Sequence, residues 1–370
     1  TLITMPKPKV KVPSVSQEHS DLPTLGVISA LHVGFAYLPR MQWMSDLLDR
    51  LESNQEILTD PLRALPPSAR DLLLELPHIA WITIALYIVN FMIMLTIVAL
   101  SEFGFIYKWF ATILLTFTMF VMFTVAHDAA HGSISNIKWI NGLIGRLAFG
   151  TMGPAGSFPL FRYIHQMHHK FTNDKNKDPD TFCAHGGYLL LPIRCLLLAP
   201  SYLVFYAKHI HTRSYIEILE VITCFSIQIG LIWGGIERGY GFSLLNYWLV
   251  PSVIAYALLA FFFDFIPHHH QSATTPLQSR YHTTSILQTY WFAQPFLSLL
   301  LQYQDYHLVH HLYPTIPFYR YADKWIEKQD FLMEKQISIS HLTVEEVVKN
   351  AKEVVESTKQ TVQSHIKVHQ

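Results

Sequence analysis

Residues 79–100 read IAWITIALYIVNFMIMLTIVAL, a run without a charged side chain. At about 1.5 Å per residue it spans about 33 Å, enough for a hydrocarbon core of about 30 Å. Working outward, residues 109–126 form a second uncharged run that extends back through Phe105. Residues 217–236 form a third, with Glu217 and Glu220 confined to its first turn and so placed near an interface. Residues 242–263 form a fourth, carried to about 266, in which Pro251 is expected to kink the helix. The apolar stretches 188–206 and 286–301 are broken by Arg194 or by prolines and are assigned to the interface or to re-entrant segments. The expected fold is an all-α integral-membrane bundle of four spans in two hairpins, about 79–100, 105–126, 217–236 and 242–266.

Composition agrees with this. Of 370 residues, 51% are hydrophobic and only 15% are charged, against about 25% in an ordinary soluble domain. Lysine plus arginine and aspartate plus glutamate each total 27, so the chain lacks both the net charge of a disordered protein and the basic excess of a nucleic-acid binder. Three cysteines (Cys183, Cys195, Cys224) are too few for a disulfide scaffold and read as buried small hydrophobes. Two hairpins put both termini on one side. Of the 27 basic residues, 25 fall in 1–78, 127–216 or after 266, and the two hairpin loops hold only Lys108 and Arg238. The positive-inside rule then places both termini and the central loop in the cytoplasm.

Outside the core, residues 1–24 read as a flexible arm without the continuous apolar core of a signal peptide. Residues 25–78 alternate short apolar runs with charges and suit amphipathic interfacial helices. The membrane domain is expected over 79–325 and a helical tail over 326–370. In the tail, Thr343 with Glu346 resembles a capping box, and a stripe from Val344 to Val362 marks a helix over 343–365.

The chain has 21 histidines, nearly as many as all its lysines and arginines. Eight fall in three clusters: His127-x3-His131, His165-x2-His168-His169 and His307-x2-His310-His311. On a helix, positions i, i+3 and i+4 share a face, so each cluster points imidazoles toward one spot. The first cluster follows the second span, the second lies in the central loop and the third follows the fourth span, which puts all three on one face. Imidazole suits Zn, Cu, Fe and Ni, while the absence of cysteine from every cluster argues against Fe–S or thiolate zinc. No H-E-x-x-H zincin motif is present. Eight nitrogens are too many for one ion, and two ions sharing eight or nine is the simplest count.

These boxes, their order and the two-plus-two spans resemble the integral-membrane fatty acid desaturase superfamily of histidine-box di-iron enzymes over about residues 79–325. The resemblance implies a four-span bundle beneath a cytosolic histidine cage that holds two iron ions. It further implies O2 as co-substrate, a lipid substrate entering from the bilayer, and a separate electron carrier of the ferredoxin or cytochrome b5 type. The ligands carried over are His127, His131, His165, His168, His169, His307, His310 and His311. The family's further ligand after the fourth span falls on the run His268-His269-His270, with His268 the first choice because it sits nearest the span end. Partners that orient the imidazoles are expected among Asp128, Asp305 and Asp178, with Asp174 and Asp180 in the same loop as the last. Arg162 and Lys170 flank the second box and read as interfacial.

Within the superfamily, His165 to Asp174 followed by Asp178-Pro-Asp180, the stretch Tyr306 to Arg320, and Pro267-His268 are similar to β-carotene hydroxylases of the cyanobacterial type. Carotenoid β-ring hydroxylation is therefore the expected reaction, with acyl-lipid or acyl-CoA desaturation as the alternative. The third box begins with His307 rather than Gln, unlike front-end desaturases, and the first is H-x3-H rather than the H-x4-H of typical Δ9 acyl-CoA desaturases. No His-Pro-Gly-Gly haem motif marks a fused cytochrome b5 domain. A zinc-dependent membrane hydrolase, or a metal-binding structural or transport protein, is the alternative from a different class.

Overall fold

The 79–100 run forms helix α1 (Trp81–Glu102), and its burial is inverted relative to a water-soluble helix. Thr83, Asn90, Ile97 and Ser101 are buried, whereas Ile88, Val89, Met92, Ile93 and Leu95 are exposed. The buried four recur every seven or four residues and form one stripe. Three of the four are polar, and bulky apolar groups face outward, which suits a helix whose solvent is lipid. The stripe packs on α2 (Lys108–His131), where Asn90 Nδ2 donates to the Thr118 carbonyl at 2.8 Å and Thr83 Oγ1 to Asp128 at 2.9 Å.

This computed structural model describes residues 76–343 except 155, 186–187 and 270–279, together with Glu345 and Lys352. They belong to one compact unit, Leu58–Gln370; a second unit, Thr1–Ile57, lies outside the described residues. So do the expected N-terminal arm, the amphipathic stretch before residue 76 and nearly all of the tail helix over 343–365.

Helix α2 runs past the end expected for the second span. It continues unbroken through His131, so the first histidine box is its last turn rather than a segment after it. Nothing in His127-Asp-Ala-Ala-His131 breaks a helix, and Gly132, at φ +75°, supplies the left-handed residue that does. Helices α3 (Lys138–Thr151) and α4 (Phe158–Phe171) follow and pack closely. A Cβ on Gly145 would collide with the buried Phe158 ring. The 188–206 stretch folds as a bent pair, Tyr188–Leu196 and Leu198–Lys208, at 71° to each other. We label its α-helical parts α5 (Leu191–Leu196) and α6 (Leu198–Lys208).

The second hairpin is α7 (Tyr215–Glu237) and α8 (Gly241–His268). Glu217 and Glu220, the charges expected near an interface, are each held by a two-pronged arginine: Arg213 at 2.7 and 2.8 Å, Arg146 at 2.6 and 2.7 Å. Helix α8 absorbs its two prolines through π-helical turns, Leu245–Leu249 before Pro251 and Ala260–Phe265 before Pro267. A proline ring collides with the carbonyl four residues back, and a widened turn moves that carbonyl aside. The four helices α1, α2, α7 and α8 are each long and apolar enough to cross a membrane.

The 286–301 stretch, assigned from its sequence to the interface or to a re-entrant segment, folds in two parts. It opens as strand β1 (Ser285–Gln288), which pairs in parallel with β2 (Ser338–His341), Ser285 opposite Ser338 and Gln288 opposite His341. Only then does it become a helix, α9 (Gln294–Leu300). Short apolar runs are ambiguous between strand and helix, and here a partner strand more than fifty residues away decides. Helices α10 (His307–Leu312) and α11 (Tyr321–Glu334) complete this region. They share an apolar cluster of Leu308, Val309, Leu312, Phe318, Trp325 and Leu332, so packing runs continuously across residue 325.

Candidate metal centre

Four helices deliver the histidines. The last turn of α2 carries His127 and His131; α4 carries His165, His168 and His169; α8 ends on His268; and α10 carries His307, His310 and His311. Helices α2, α4 and α8 all present their C-terminal ends, where the backbone's negative partial charge favours a cation.

The nine imidazoles fall into two groups. His127, His131, His165, His169 and His310 form one, and His168, His268, His307 and His311 the other; within each group the nitrogens lie within 4.8 Å of one another. In the first group the Nε2–Nε2 distances are 2.6 Å for His131 to His165, 3.1 Å for His127 to His310 and 2.9 Å for His169 to His310. In the second they are 3.0 Å for His268 to His307 and 3.2 Å from His311 to both His168 and His307. Each H-x2-H-H box splits in the same way. Its i, i+4 pair stays together, and the middle histidine crosses to the other group.

The residues fit a pair of ions. Two nitrogens held about 2.1 Å from one first-row ion at a right angle stand about 3.0 Å apart, close to the spacing seen. Burial, aided by neighbouring imidazoles, pushes His165, His169, His310 and His311 well below the usual imidazole range and His307 down to about 3. Burial thus favours the neutral form, the one in which imidazole binds metal. His168 differs. Burial alone would lower it, but the carboxylates of Asp178 and Asp180 outweigh that and raise it to about 9.

Around the cage, Asp178 Oδ1 lies 3.0 Å and Asp180 Oδ2 3.2 Å from His168 Nδ1. That contact keeps a hydrogen on Nδ1, so an ion held by His168 would take the place of the proton on Nε2, which faces the other imidazoles. Asp178 is itself fixed by the backbone N–H groups of Asn173 at 2.6 Å and Asp180 at 2.9 Å. The other two expected carboxylate partners do not reach an imidazole. Asp128 accepts from Thr83 and from the Phe318 N–H, and Asp305 from Ser298 at 2.5 Å and Gln294 at 2.8 Å. A residue next to a ligand on a helix points about 100° away from it, so sequence adjacency misleads. Among the described residues Asp174 accepts from nearby backbone N–H groups in an exposed turn, and Arg162 and Lys170 stack over Phe158 and Phe171. Of the run 268–270, His268 enters the cage. His269 turns to the Ala184 carbonyl at 3.1 Å and the Tyr188 hydroxyl at 2.8 Å, and His270 lies outside the described residues. Cys183, Cys195 and Cys224 are free thiols and belong to neither histidine group.

Two features escaped sequence reading. Tyr321 places its hydroxyl 2.9 Å from His310 Nδ1, although ten residues separate them and nothing local marks the contact. Tyr202 donates to Asp180 at 2.6 Å and lies 3.4 Å from Asp264. Asp264 carried a readable signal, being a charge at the end of an otherwise uncharged span. From His127, His165, His168 and His307 a cleft opens between α2, α3, α4, α6 and α8, lined mainly by apolar and aromatic side chains such as Phe149, Phe161, Leu198 and Phe263.

A family model for fatty acid desaturases matches residues 103–342, which contain all nine histidines. The chain belongs to the fatty acid desaturase family. Together with the four apolar helices, this makes the desaturase-family chain an integral membrane protein and an oxidoreductase. Among similar proteins, a β-carotene ketolase of Paracoccus sp. (strain PC1) is 29% identical over 210 residues, covering 56% of this chain and 74% of that one. A dihydrorhizobitoxine desaturase of Bradyrhizobium elkanii is 29% identical over 227 residues, 53% of this chain and 60% of its own. An sn-1 oleoyl-lipid 12-desaturase of Picosynechococcus sp. is 26% identical over 222 residues, 59% and 54% respectively. The chain therefore spans about three quarters of the first relative and a little over half of the other two.

Proposed function

We propose that this chain uses O2 to oxidise an unactivated C–H bond of a membrane lipid at a two-iron centre, and that carotenoid β-ring hydroxylation is its reaction. The observation that carries the reading is the convergence of nine buried imidazoles, in groups of five and four, at the mouth of an apolar cleft. His127, His131, His165, His169 and His310 would hold one iron; His168, His268, His307 and His311 the other. When bound, the irons supply O2 activation. The chain's own residues do the rest. Phe149, Phe161 and Phe263 receive the hydrocarbon and exclude water, and Asp178 and Tyr321 lock His168 and His310 in one tautomer each.

Inserting one oxygen atom of O2 and reducing the other to water takes two electrons and two protons beyond the substrate, and we assign the electrons to a separate carrier of the ferredoxin or cytochrome b5 type. We place the cage and both termini on the cytoplasmic side, from the distribution of Lys and Arg. Similarity to a protein named for β-carotene supports the carotenoid. Similarity to a lipid desaturase supports acyl desaturation as the second reading.

The test is expression of the full chain in a carotenoid-producing bacterium, with chromatography of carotenoids and fatty acids and metal analysis of the purified protein. Hydroxylated carotenoid with about two irons per chain is expected. New acyl double bonds would favour the second reading, and a single zinc with hydrolytic activity would overturn both.

A further inference from the structure

We propose that Tyr256 is a specificity-determining residue that receives an oxygen carried by the substrate at a point remote from the carbon oxidised. The inference rests on the reading that the cleft takes a lipid, and it narrows the class to hydrocarbon lipids bearing a distal hydroxyl or keto group.

Tyr256 lies on α8 and lines the cleft. Its hydroxyl is buried, yet it has no hydrogen-bond partner among the described residues. A buried tyrosine hydroxyl normally finds a partner, and leaving one unpaired costs about 1–3 kcal/mol. In a membrane-spanning helix the cost is not relieved by water. Phenylalanine would fill the same space without it, as it does at Phe149 and Phe161 on the same cleft. Nearer the cage, Tyr202 is engaged with Asp180 and Asp264, and the amide of Gln304, beside His307, is another buried polar group on the cleft without a partner among the described residues.

Position sets the distance. From the cage, ring contacts run His165 to Phe161 at 5.6 Å, Phe161 to Phe149 at 5.2 Å and Phe149 to Tyr256 at 6.5 Å between centroids. Along α8, Tyr256 precedes His268 by three turns, roughly 18 Å of helix. A lipid lying with its reacting carbon at the cage would present a group well along its length to this hydroxyl.

The experiment compares binding by the purified full chain, with its metal, through quenching of tryptophan fluorescence. Two matched pairs serve as probes. One is a carotenoid with two unsubstituted rings and its counterpart hydroxylated on one ring; the other is a saturated acyl lipid and its counterpart hydroxylated at the methyl end. In one pair the hydroxylated member is expected to bind about two- to tenfold tighter, the range of a single net hydrogen bond. Tyr256→Phe should abolish that preference, so that both members of the pair bind alike. The pair that shows the preference identifies the source of the oxygen.

Equal affinities within both pairs for the unaltered chain, or a preference that survives Tyr256→Phe, would overturn the inference. If the unaltered chain oxidises both members of a pair while binding them equally, the lipid-oxidation reading stands and only the role of Tyr256 falls. If no probe binds, both fall.

Discussion

His127 and His310 are 183 residues apart in the chain, and their Nε2 atoms meet at 3.1 Å. Their neighbours explain how. Asp128, one residue after His127, accepts from Thr83 on α1 and from the Phe318 N–H in the loop after α10. One buried carboxylate thus ties the first hairpin to the segment that carries the third box. Expected to orient an imidazole, Asp128 instead holds two boxes in register.

Loss of a cage imidazole should remove function without removing the protein from the membrane. His310 belongs to the group of five and His168 to the group of four. His168→Ala and His310→Ala should each abolish lipid oxidation and lower iron by about one per chain, while the membrane fraction still contains the protein. Full activity in either variant would contradict the two-group assignment.

Asp178 should matter far more than its loop neighbour Asp174. Asp178 touches His168, whereas Asp174 accepts from the backbone of Asn176 and Lys177. Asp178→Asn should cost about 10- to 100-fold in metal affinity or activity, the usual effect of losing such a partner. Asp174→Asn should leave both nearly unchanged. Metal titration of the two variants side by side checks this.

Tyr321→Phe isolates a single contact. The side chain is fully buried, so the ring's packing is kept and only the hydroxyl beside His310 Nδ1 is lost. We expect metal retention to weaken by about tenfold, the low end of the same range. Stability should fall by about 1 kcal/mol, read from thermal unfolding in detergent.

Packing of α3 on α4 should be intolerant of one methyl group. Gly145→Ala would place a Cβ against the buried Phe158 ring and should destabilise by about 1–3 kcal/mol. At Gly150, in the same helix, nothing lies within 4 Å of the added carbon. Gly150→Ala should be neutral or slightly stabilising, because alanine is the better helix former. Thermal unfolding of the pair reads the difference.

Much of the architecture was legible in the chain because lipid imposes it locally. A span must carry about twenty apolar residues in a row, whatever its neighbours do. The runs that became α1, α2, α7 and α8 are visible for that reason. The eight box histidines were legible through spacing, since i, i+3 and i+4 are neighbours on any helix. The 286–301 stretch was not, because a four-residue strand depends on its partner at 338–341.

The chain by itself thus determined four apolar helices and three histidine boxes, both consequences of short-range periodicity. Tertiary structure decided the rest. It sent His168 and His310 across to the opposite group, chose His268 over His269, made Asp178 rather than Asp128 or Asp305 the partner of an imidazole, and brought Tyr321 to His310. The physical reason is the same in each case. Adjacent helical residues diverge by about 100°, so which of them reaches a shared point depends on how α2, α4, α8 and α10 cross. No local pattern encodes that crossing.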